Sequence, residues 1–227
     1  MKNNYILTFL LIFVLSFLVL PPIVFQFFAE RQKEFFVHYP ISVFLTGIFS
    51  FLIYYYSIKG RIFKSKILHE KTAFFVYSSN TMICFGILCL STVIFEGISY
   101  YLNYNPGIQQ VIFPQNTIGF INFIFGVIFS AFSEEVIYRF FLPLAFKEIL
   151  SKKLTVYPKL WLFYEGLSLI LFALGHLYLG IFGFMNALVC GFALRFCMIK
   201  TKTIWISFII HLAYNLFSFG TIYIISK

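Results

Sequence analysis

Apolar residues run for twenty or more positions at a time along this chain, and the breaks between the runs are short and basic. A membrane-crossing helix needs roughly 20 predominantly apolar residues. Seven runs meet that length, at positions 5–28, 35–58, 73–102, 117–146, 160–179, 181–199 and 203–226. The pattern predicts an all-α, polytopic membrane helical bundle of about seven transmembrane helices. The first run is too long for a secretory signal and is followed by no small-residue cleavage site. Pro21 and Pro22 predict a kink in it.

Composition agrees. Of 227 residues, 61% are hydrophobic and 11% charged, with a mean hydropathy of +0.91. Soluble domains have about 45–50% apolar and about 25% charged residues. The net charge of +9 is a matter of topology, because Lys and Arg crowd into alternate loops. With the N-terminus in the cytoplasm, Lys2, Lys59, Arg61, Lys64, Lys66, Lys71, Lys147, Lys152, Lys153, Lys159, Lys200 and Lys202 fall on the cytoplasmic side. Arg31, Lys33 and Lys227 fall outside. This bias predicts an N-in, C-out arrangement and argues against a nucleic-acid partner. Trp161 and Trp205 at one level, and Tyr100, Tyr101 and Tyr104 at the other, suit aromatic belts. Cys84, Cys89, Cys190 and Cys197 lie in apolar helices and read as small buried thiols. Gly183, Ala187 and Gly191 form a small-residue face for helix packing.

Charge inside a membrane is costly and marks function by default. Glu96 lies near an outer helix end and can reach the interface. Glu165 and Arg195 match in depth and predict a structural ion pair. His38 sits near a helix end and His69 in a loop. The remaining groups fall on three helices: Glu134, Glu135 and Arg139; Phe172 and His176; His211 and Asn215. Glu135 and Arg139, four apart, share a helix face. Glu134 is rotated by roughly 100° from Glu135 and points elsewhere. Counting about 1.5 Å per residue from the cytoplasmic ends puts Glu134 roughly 18 Å, His176 roughly 24 Å and His211 roughly 12 Å deep. A common mid-membrane site is within reach of tilt.

Hydrogen-bonded glue between helices contributes about 1 kcal/mol or less per contact. That accounts poorly for two glutamates, an arginine and two histidines together. A buried Glu can serve as general base toward water. A neutral His can orient that water, and a second His with an Asn amide can donate to an oxyanion. These are parts for hydrolysing an amide without a covalent intermediate. The same groups could hold a divalent metal such as zinc. There is no H-E-x-x-H, so the metal stays undecided. Ser133 has no base placed to activate it.

At these residues the chain resembles the CPBP intramembrane proteases, a family that includes type II CAAX prenyl endopeptidases and bacteriocin-processing and self-immunity (Abi) proteins. Its three motifs, E-E-x-x-x-R, F-x-x-x-H and H-x-x-x-N, read here "EEVIYR" (134–139), "FALGH" (172–176) and "HLAYN" (211–215). The resemblance implies a catalytic helical core at 117–227, preceded at 1–116 by transmembrane helices without a matched motif. It implies that Glu134 activates water with His176 as partner, that Glu135 and Arg139 hold the site together, and that His211 and Asn215 form the oxyanion hole. Phe172 is expected to meet the substrate. The implied partners are a membrane-associated protein or peptide and the lipid bilayer. Abundant Phe, Ile, Lys and Asn point to an AT-rich bacterial genome and so to a bacterial plasma membrane. Competing readings are a transporter relaying protons through the same glutamates and histidines, and a non-catalytic peptide-binding immunity or signalling protein.

Overall fold

In a computed structural model the described residues are 2–28, 34–36, 39–59, 74–104, 110–150 and 159–225. Apolar helices dominate them, for the reason the sequence gives: without water, backbone groups must bond within their own helix. Lys2–Phe13 (α1), a π-helical turn Val14–Val19 and Leu20–Phe28 (α2) make one rod. The rest are Ile41–Ile58 (α3), Phe74–Tyr101 (α4), Thr117–Glu134 (α5), a π-helical turn Glu135–Phe141, Leu142–Ile149 (α6), Leu160–Leu174 (α7), Gly180–Thr201 (α8) and Ile204–Ile225 (α9). Six spans are long and apolar enough to cross a membrane, and α7 is a shorter apolar helix. The chain is an integral multi-pass membrane protein of all-α architecture. Its extended pairing among the described residues is brief: Glu34–Phe36 (β1) beside Gln110–Ile112 (β2), in parallel.

Three details differ from the sequence reading. The second helix starts at Ile41, after Pro40, because residues 34–36 are drawn off into β1. The disturbance near Pro21 and Pro22 lies ahead of them. Without N–H groups they leave the carbonyls of Phe17 and Leu18 short of α-helical donors, and the backbone widens over Val14–Val19. The fifth run ends as α-helix at Leu174, then turns through His176 into a 3₁₀ turn at Leu177–Leu179. Gly180, at φ 82°, completes the reversal into α8. His38 and His69 lie outside the described residues.

The core surrounds the second π-helical turn. Val136, Ile137, Phe140 and Phe141 are buried against Leu7, Leu11 and Val14 of the first rod and Ile53 of α3. Thus α1 meets α6, while α2 meets the 3₁₀ turn at the opposite end. A second core cluster joins Cys84 and Leu88 of α4 to Cys190, Leu194 and Cys197 of α8 and Ile210 of α9. All four cysteines are free thiols.

Candidate active site

The rod α5–π–α6 begins with a cap. The Asn116 side chain accepts from the Gly119 N–H at 2.6 Å, satisfying one of the unpaired donors of the first turn. Eighteen residues later α5 ends at Glu134 and the helix widens. Such wide turns collect at functional sites, because the extra residue re-aims side chains. Here it begins between the two glutamates. Glu135 is fully buried, whereas Glu134 keeps 22% of its side chain exposed.

Glu135 is held from two sides. Its Oε1 accepts from His211 Nδ1 at 2.8 Å and lies 3.6 Å from Arg139 Nε. Arg139 is 2% exposed. Its guanidinium carbon stands 3.6 Å from the centre of the Phe172 ring, so the ring face balances part of the buried charge. A desolvated cation–π contact contributes about 2 kcal/mol. Phe172, expected to meet substrate, therefore also serves as a platform, 4% exposed between Arg139 and His176. Gly191 makes that packing possible: a Cβ there would lie 2.9 Å from the ring.

Glu134 faces a cavity. Ser130, one turn earlier, donates to its Oε1 at 2.8 Å, and its Oε2 lies 3.7 Å from His211 Nε2. The depths counted from sequence set these two apart, and the fold brings them together. His176 lies past the end of α7, and its Nδ1 meets the Phe172 carbonyl at 3.0 Å. A carbonyl only accepts, so Nδ1 carries the hydrogen and Nε2 offers a lone pair. The same logic applies to His211, whose Nδ1–H is committed to Glu135. The cavity encloses about 400 Å³, and Glu134, His176, His211 and Asn215 all line it. Asn215 is half-buried, one turn beyond His211 on α9.

Glu165 and Arg195 are paired: Arg195 Nε donates to Glu165 Oε2 at 2.7 Å. Glu96 is exposed and lines the cavity. Among the described residues no three His, Cys, Asp or Glu side chains are placed to hold a metal ion. The arrangement of the described residues does not fit a three-donor metal centre.

Several participants carry no sequence signal. Tyr39 lines the cavity. Its backbone is clasped by Asn122, which accepts from its N–H at 2.9 Å and donates to its carbonyl at 3.0 Å. Its ring lies against Gly126, where a Cβ would collide with it. Burial first, and the Glu134 carboxylate second, push its hydroxyl above the ordinary range, so it remains a donor. Gln26 of α2 reaches the end of α7, donating toward the carbonyls of Leu174 and Gly175 at 3.3 Å each. On the opposite wall Asn186 joins three helices. Its Nδ2 donates to Thr92 at 3.1 Å and to Tyr214 at 3.4 Å, and its Oδ1 accepts from Ser91. A lone Asn within an apolar run was the available hint.

The family model "Type II CAAX prenyl endopeptidase Rce1-like" matches residues 115–217. That stretch runs from the cap of α5 into α9 and contains all three motifs. A search of curated proteins and one of solved structures returned no match. The match falls on the helices that bring the two glutamates and two histidines together, and over that stretch the chain is similar to the CAAX-type, CPBP-family intramembrane proteases.

Proposed function

We propose that this protein hydrolyses a peptide bond of a membrane-associated protein or peptide with a water activated by Glu134. The observation that carries the reading is the approach of Glu134 Oε2 to His211 Nε2, 3.7 Å, at a cavity also lined by His176 and Asn215. Glu134 takes one proton from the water. The bare Nε2 of His176 accepts from the same water and aims it. The water oxygen adds to the substrate carbonyl carbon. The oxyanion so formed receives a hydrogen bond from the Asn215 amide, and one from His211 Nε2 once the proton taken from the water has passed to that nitrogen from Glu134 Oε2, 3.7 Å away. Glu135, behind Nδ1, orients the His211 ring and stabilises its cation, as a buried carboxylate does in a Ser-His-Asp triad. Arg139 in turn fixes Glu135. As the C–N bond breaks, that proton returns through Glu134 to the leaving nitrogen. One new carboxyl and one new amino terminus result.

Ser130 supports this division of labour. Its bond occupies Glu134 Oε1 and leaves Oε2 as the reacting oxygen. The substrate enters a cavity with ordinary polar and aromatic walls, and a processed leader, sorting signal or membrane-bound peptide fits it in kind. The test compares membrane-peptide termini in two otherwise identical host strains, one with wild type and one with Glu134→Gln at matched abundance. New termini found with wild type alone establish proteolysis and name the substrate. Identical termini, with both proteins folded, reject it in favour of a transporter or a peptide-binding scaffold.

A further inference from the structure

Pro143 lies two residues past the π-helical turn and has no N–H to give. In a regular α-helix that N–H would bond the carbonyl of Arg139, four residues earlier. The Arg139 carbonyl accepts instead a charged donor from another helix, Arg195 Nη1 on α8, at 2.6 Å. The guanidinium is aimed by its other edge. Arg195 Nε donates to Glu165 Oε2 at 2.7 Å, and Nη2 donates to Glu165 Oε1. A planar, bidentate pair of this kind fixes direction as well as distance. Arg139, Glu165 and Arg195 line one small cavity together with Tyr138 and Phe172, directly behind the reacting groups.

The ion pair is open to its surroundings, its side chains 20% and 23% exposed. Its third bond touches the backbone carbonyl that Pro143 leaves short of an α-helical donor, inside the turn that begins between Glu134 and Glu135. We infer that Arg195, aimed by Glu165, is a positioning residue: it pins the Arg139 carbonyl and so fixes the widened turn on which Glu134, Glu135 and Arg139 stand. The inference rests on the hydrolytic reading above.

The test uses the full-length protein in liposomes. The probe is a synthetic copy of the most abundant membrane peptide that wild type cleaves in the strain comparison. Arg195→Gln is expected to lower kcat by about 10- to 100-fold, the scale of an ångström of misplacement, with KM unchanged. The discriminating variant is the charge swap Glu165→Arg with Arg195→Glu. It restores the ion pair and the melting temperature. The carboxylate at position 195 has no hydrogen to donate to a carbonyl, so kcat stays low. Should Arg195→Gln fail to accumulate, Arg195→Lys is read in its place: its ammonium cannot reproduce the planar fork, and kcat falls while the melting temperature holds. Wild-type kcat in the swapped protein overturns the positioning role and leaves hydrolysis standing. Cleavage that persists in Glu134→Gln, or no cleavage at all, overturns both.

Discussion

The two walls of the cavity are built by opposite means. One, on the α5–π–α6 rod and the start of α9, is charged: Glu134, Glu135, Arg139 and His211 meet within a few ångströms. The other, on α4, α8 and the middle of α9, is polar and, Glu96 aside, neutral: Ser91, Thr92, Asn186 and Tyr214 bond one another. A charged group buried in apolar surroundings is tolerated only where a partner meets it, so the first wall admits few substitutions. A neutral network loses one modest bond at a time. The comparison teaches that reactivity and cohesion are housed apart around the same space.

The largest way to break the charged wall is Glu134→Gln. It should lower the cleavage rate by about 10²–10⁴-fold, the usual share of a positioned general base, without loss of melting temperature. Next is Arg139→Leu, which leaves Glu135 buried without its cation. Removing one member of a buried pair costs about 3–5 kcal/mol, so thermal unfolding in detergent should show a large drop. Gly191→Ala should act at a smaller scale. Its methyl would press on Phe172, shifting the platform under Arg139 and the neighbouring His176, and about 1–3 kcal/mol of overpacking strain should appear as lower stability. The smallest effect is expected on the neutral wall. Asn186→Ala removes bonds averaging about 0.6 kcal/mol each in membranes, so stability should fall slightly while kcat stays at the wild-type value. A collapse of kcat in Asn186→Ala with stability intact would erase the distinction between the walls.

The charged wall was legible in the sequence for the same reason that it is fragile. Glutamate, arginine and histidine within apolar runs are costly, so each one asked for a partner, and the spacing of Glu135 from Arg139 supplied it. Even Glu165 and Arg195 could be paired from matching depth alone. The neutral wall was not legible, because Ser, Thr, Asn and Tyr are unremarkable in a membrane helix until their partners are known. Tyr39 depended on Asn122, 83 residues away. Gln26 depended on a helix end 148 residues away. Helix number and order were readable from length and hydropathy. The π-helical turns were not, since Pro143 hints at a break without saying whether the helix stops, kinks or widens.

The wide turn at Glu135–Phe141 also bears on how this protein can vary. A π-helical turn is an α-helix with one residue too many. Exchanging letters within it changes single contacts, whereas removing one letter would tighten it to an ordinary α-helix and leave the helix beyond in phase. The buried Leu142, Pro143 and Ala145 would keep facing the core, and the change would fall on the site residues within the turn. The spacing between the first glutamate and that proline is thus set by the site more than by the fold: losing one residue there should spare folding and cost activity.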